Sequence, residues 1–126
     1  MEAVVVSDPA ILIRIRRSYH DGMSETALYE ATRGTWVIGE RRNHAKLAMA
    51  VVDGVIRAVY EIDQWHQAGM TPYATRDTED LARRPNRWEF TGKPASAQLQ
   101  DTYVGRSVAS YFPQGAANPI MYVNCE

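Results

Sequence analysis

Four cations and an indole crowd one short stretch of this chain. Between Thr32 and Lys46 stand Arg33, Arg41, Arg42 and Lys46, with Glu40 against them, a local excess of three positive charges, and Trp36 sits among them. A guanidinium fork grips phosphate or carboxylate at two points, and an indole offers a flat face for stacking. Two readings stand open. Either the segment meets a nucleic-acid strand or another anionic ligand, or the arginines form a solvated face and Trp36 packs inward. Tyr60, Trp65, Tyr73 and Trp88 extend the same choice. Rings sandwich an unstacked base, and they also fill cores. Trp88, two positions from Phe90, suits a core. Trp65, at the mouth of a long loop, suits a ligand.

Carboxylates for acid–base work are present at Glu30, Glu61, Asp63 and Glu89. An enzyme reading, a small hydrolase or nuclease, takes Glu30 or Glu61 as base and Arg33 as anion stabiliser. Against it, Glu30 and Arg33 are helix neighbours at i,i+3 and can simply pair with each other. Tyr103, Gly105, Arg106 and Ser107 could offer N–H groups and an arginine to an anion. Ser107, however, lacks the G-x-S-x-G setting of an activated serine. His20, His44 and His66 fall into no H-x-x-x-H or H-E-x-x-H arrangement, and Cys125 stands alone. No metal site is expected on this spacing, and no cofactor.

Length sets the frame for these residues. A chain of 126 residues, 45% hydrophobic and 23% charged, reads as one globular domain over 1–126. A formal net charge of −1 argues against a strongly basic nucleic-acid binder but leaves room for a local basic patch. One cysteine fits a reducing compartment. No apolar run approaches the ~20 residues that span a bilayer. The start lacks a basic and then long apolar leader pattern. The expectation is a soluble, cytoplasmic protein with no membrane partner.

The elements that must position the site follow from period and punctuation. Ile11–Arg17 alternates as a half-buried strand, and Ala3–Val6 reads as a shorter one. Ser24 caps a helix near Glu25–Arg33, which Gly34 closes as a C-cap of positive φ. Lys46–Val52 and Val55–Ile62 flank Asp53-Gly54, the turn pair of a hairpin. In its second strand Ile56, Ala58, Tyr60 and Ile62 share a face. The first strand is apolar throughout, so it should be covered on both sides. Residues 66–86 read as a long loop, a candidate surface for a protein partner. Arg87–Thr91 reads as a strand, Ala97–Thr102 and Arg106–Tyr111 as short helices, and Ile120–Val123 as a last strand. This order predicts an α+β domain: a curled, largely antiparallel sheet or small β-barrel with short helices at its ends.

The blocks LYEATRG-x-W, RR-x-x-A, GVIRAVYEIDQW, RWEFTGK, YVGRSV and NPIMYVN together resemble a family of small bacterial proteins. The architecture is similar to the PUA-like group, with its EVE and ASCH-type domains: small β-barrels edged by helices. That resemblance implies a cleft bordered by the GVIRAVYEI strand pair, and binding of RNA or of modified DNA bases. The G-x-K-x-x-E-x-R motif of ASCH domains is missing here, so ASCH-type catalysis does not carry over. Together these readings predict a nucleic-acid-binding module. Arg33, Trp36, Tyr60 and Trp65 would line a base cleft, and Arg41, Arg42 and Lys46 would hold backbone phosphate. The enzyme is the first alternative. A protein-interaction module of phage or defence systems, using residues 66–86, is the second.

Overall fold

A computed structural model describes residues 2–16, 18–83 and 85–126. Five strands form one mixed sheet: β1 (Ala10–Arg14), β2 (Leu47–Val52), β3 (Val55–Gln67), β4 (Trp88–Pro94) and β5 (Ile120–Val123), in the order β4-β3-β2-β1-β5. β1 runs parallel to β2, and the other three pairings are antiparallel. The helices are short: α1 (Glu25–Arg33), α2 (Thr78–Ala82) and α3 (Ala97–Tyr103). The fold class is therefore α+β. No helix among the described residues is long and apolar enough to cross a membrane.

β2 lies in the middle of the sheet and all six of its residues are buried, as an uninterrupted apolar strand requires. β1 is buried on both faces as well, so it is an interior strand and not the half-buried one its alternation suggested. Leu12 packs below the sheet with Met49, Val59, Tyr103 and Val108. Ile11 and Ile13 pack above it with Ala48, Ala50, Tyr60 and Phe90, under α1. Truncating Leu12, which is fully buried, should cost about 2–5 kcal/mol. Arg17, the end of the predicted first strand, lies outside the described residues. Ala3–Val6 is no strand: Ala3 makes a single bridge to Ser107.

β3 departs from the predicted alternation. Ala50 faces Ala58 and Val51 faces Ile56, which leaves Arg57 as an extra residue. The bulge reverses the side-chain alternation, so Ile56 joins the lower core while Ala58 and Tyr60 face the upper one. At Arg106–Tyr111 only a 3-10 turn, Ala109–Tyr111, forms. Instead of continuing a helix, the backbone of residues 105–107 bonds to the edge of β3: Ile56 N–H donates to Arg106 and Gly105 N–H to Ile56.

Ser24 caps α1 by accepting from Ala27 N–H. Its other end differs from expectation. Gly34 is extended, φ −174°, not left-handed. Space explains the glycine: a Cβ there would stand 2.6 Å from the Tyr73 hydroxyl and 2.9 Å from Glu89 Cβ. The basic segment forms a 3-10 turn, Glu40–His44. Within it, Arg41 and Arg42 lie over Tyr122 of β5 and Trp88 of β4. One short turn thus touches both edge strands.

Candidate functional site

Where α1 ends, a hollow of about 470 Å³ opens, within the size range of small-ligand sites. Ala27 and Ala31 of α1 are on its wall, with His20 and Met23 from the preceding segment. Thr35 and Trp36 come from the stretch after the helix, Thr75 and Arg76 from the loop before α2, and Arg87 from the start of β4. No aspartate or glutamate is among the described residues that line it. The wall thus combines an indole, an imidazole, hydroxyls and two guanidinium groups. Such a set suits a planar or anionic ligand.

Each wall is fixed by an identifiable contact. The Trp36 indole N–H donates to the Thr32 carbonyl at 2.8 Å, and the Trp36 backbone exchanges two hydrogen bonds with Trp88. Trp36 is half-buried. Thr35 is buried, and its hydroxyl has no partner among the described residues.

The opposite wall rests on buried carboxylates. Residues 69–76 have no regular structure, so their N–H groups need other acceptors. Glu30 of α1 accepts from Ala74 N–H at 2.7 Å and from Thr75 N–H at 2.6 Å and Oγ1 at 2.5 Å. Glu89 of β4 accepts from Gly69 N–H at 2.6 Å, Thr71 N–H at 3.0 Å, and the Thr71 hydroxyl. Arg33 closes the network. It donates to Thr71 Oγ1 at 2.7 Å and to the Pro72 carbonyl, stands 3.8 Å from Glu89, and lies 3.7 Å over the Tyr73 ring. Arg76 reaches back to the carbonyls of Glu30 and Gly34.

Electrostatics agree with this geometry. Burial by itself would raise the Glu30 carboxyl. The donors at Ala74 and Thr75, with the charge of Arg33, outweigh it and hold Glu30 below its ordinary value. Burial pushes the Tyr73 phenol well up, against the pull of Arg33.

The structure separates the residues that the sequence grouped. Arg33 is buried behind the hollow and committed to the loop. Tyr60, 5% exposed, faces Tyr29 and lines a different, mostly apolar hollow beside α3. Trp65 packs edge-on against Phe90, and its indole N–H donates to the Arg42 carbonyl. Arg42 stacks on Trp88, which pairs with Trp36, so this cation is one ring away from the hollow. Arg41 and Lys46 are exposed. Of the two candidate bases, Glu30 is occupied by backbone amides, and Glu61 is exposed on β3 opposite Lys93. Residues 66–86 are not one open loop: they include the end of β3 and α2, and Thr71 and Leu81 are buried.

Sequence reasoning missed His20, Thr35, Thr75, Arg76 and Arg87 as lining residues. The one signal for Thr75 and Arg76 was their place in a long segment without hydrophobic period. Among the described residues no group of three or more histidine, cysteine or acidic side chains could hold a metal ion. Comparison of the chain with protein-family models, curated proteins and solved structures returns no match.

Proposed function

We propose that this chain is a nucleic-acid-binding module that seats one base in the hollow beside Trp36. One observation carries the reading: the hollow joins an aromatic wall to Arg76 and Arg87, with no carboxylate among the described residues that line it. A base carries a π-face for the indole, and its phosphate carries a charge that an acid-free wall accepts. Arg42 on Trp88, with exposed Arg41 and Lys46, continues the positive surface away from Trp36. Backbone phosphates beyond the seated base would follow it. An α+β domain whose turn Glu40–His44 contacts both edge strands suits a PUA-like architecture for the module. In this reading Arg33, Tyr60 and Trp65 build the scaffold and do not touch the ligand.

A salt titration tests the reading. Single-stranded DNA and RNA oligonucleotides should bind with an affinity that falls as salt rises, about 0.7 in log–log slope per phosphate neutralised. The net charge is −1, so any such slope reports the local cations and not the molecule as a whole. Arg87→Gln and Arg41→Ala should each flatten it. Binding that is absent, or indifferent to both salt and these substitutions, ends the proposal.

A further inference from the structure

Glu30 is a carboxylate on a helix, beside a hollow, with both oxygens turned to a loop backbone. We propose that Glu30 is the positioning residue of the hollow: it holds Thr75 and Arg76 in place as the wall facing Trp36. The inference deepens the nucleic-acid reading and rests on it for its ligand.

Three observations carry it. Both Glu30 oxygens are used, one on Ala74 N–H and the other on Thr75 N–H and Oγ1. Arg76 then closes the loop onto the same helix turn through the carbonyls of Glu30 and Gly34. The start of the irregular segment is held by a different carboxylate, because Gly69 and Thr71 bond to Glu89. Besides the bonds of Arg33 to Pro72 and of Arg76 to α1, the loop has two carboxylate fastenings, and of the two carboxylates only Glu30 bonds a residue that lines the hollow. An amide cannot replace it. A glutamine at position 30 would turn an NH₂ towards one of the backbone N–H donors, leaving a donor facing a donor.

Hydrogen exchange on the free protein decides the claim. In Glu30→Gln, the amides of Ala74 and Thr75 should lose protection by tenfold or more. Those of Gly69 and Thr71 should keep theirs. Unchanged exchange at Ala74 and Thr75, or equal loss along the whole of 69–76, overturns the proposal. A second arm reads the consequence with a mixed-sequence single-stranded oligonucleotide, at equal fraction folded. Glu30→Gln should bind at least fivefold more weakly. Ser24→Ala, which weakens α1 from its far end, should stay within twofold of the native chain. Loosened exchange with native affinity, or an equal loss in Ser24→Ala, overturns the positioning role. A native chain that binds no oligonucleotide instead overturns the proposed function, and the exchange arm alone then decides whether Glu30 sets the wall.

Discussion

Trp36 bridges Trp88, the residue before Glu89 in β4, yet Trp36 and Glu89 answer to different physics. Trp36 is half-buried with its indole N–H already satisfied by Thr32. What it has left to give a ligand is a ring face. Stacking of a base on an aromatic residue contributes about 1–3 kcal/mol, so Trp36→Ala should weaken oligonucleotide binding by roughly five- to 150-fold. Trp36→Phe should recover part of it. Fluorescence anisotropy at fixed salt measures both, and equal affinity for Trp36→Ala and the native chain would remove the indole from the site. Glu89 is fully buried and faces Arg33, itself 3% exposed. Removing one partner of a buried pair leaves the other charge without compensation and costs about 3–5 kcal/mol. Glu89→Ala should lose that much in urea unfolding. The double variant Arg33→Met/Glu89→Leu should lose clearly less than the two single losses added together, because it removes both charges at once. Strict additivity would mean the two residues do not share a network.

At the scale of elements, the β3–β4 pairing depends on one close approach. The register shifts between Ile62 and Gln64, and Gly92 sits opposite Ile62 with no room for a Cβ against the Glu61 carbonyl. Gly92→Ala must push β4 off β3, and β4 carries both Glu89 and Phe90. The expected result is a lower melting temperature, with hydrogen exchange loosened along β4 before β1 or β2. A native exchange pattern in that variant would show that the close approach at Gly92 does not limit the pairing. The same pairing explains what could be read from the chain. The hairpin at Asp53-Gly54 was legible because its signal is local: two residues, φ 51° and 78°, between two apolar runs. Ser24 was legible as a cap for the same reason. The bulge at Arg57 was not, since nothing in the strand's own sequence says which residue the partner skips. The site was least legible of all. Arg33 carries the charge of a ligand contact, and only the arrival of residues 71–73, some forty positions later in the chain, turns it into a structural brace. The same long-range packing draws Tyr60 and Trp65 against Phe90, and neither lines the hollow beside Trp36.

For the molecule as a whole, the buried titratable groups set a pH range of stability with two different edges. Glu30 lies below its ordinary value of 4.5 in the folded chain. Above 4.5 it is ionised in both states, and its hydrogen bonds contribute fully. As pH falls below 4.5 the unfolded chain takes up the proton first, so stability is lost progressively through the folded value. The alkaline edge has the opposite sign. Burial raises the Cys125 thiol from 9.0, and the phenols of Tyr60 and Tyr73 from 10.0. These groups stay protonated when folded while the unfolded chain ionises, so stability is intact below 9.0 and falls as pH rises beyond it. Urea midpoints measured across pH should therefore show a plateau between about 4.5 and 9.0 with a decline on each side. Glu30→Gln separates the edges: it should lower the plateau and flatten the acid decline while leaving the alkaline one alone. An acid decline of unchanged steepness in that variant would assign it to other carboxylates and would weaken the case that Glu30 is held ionised by the loop it fastens.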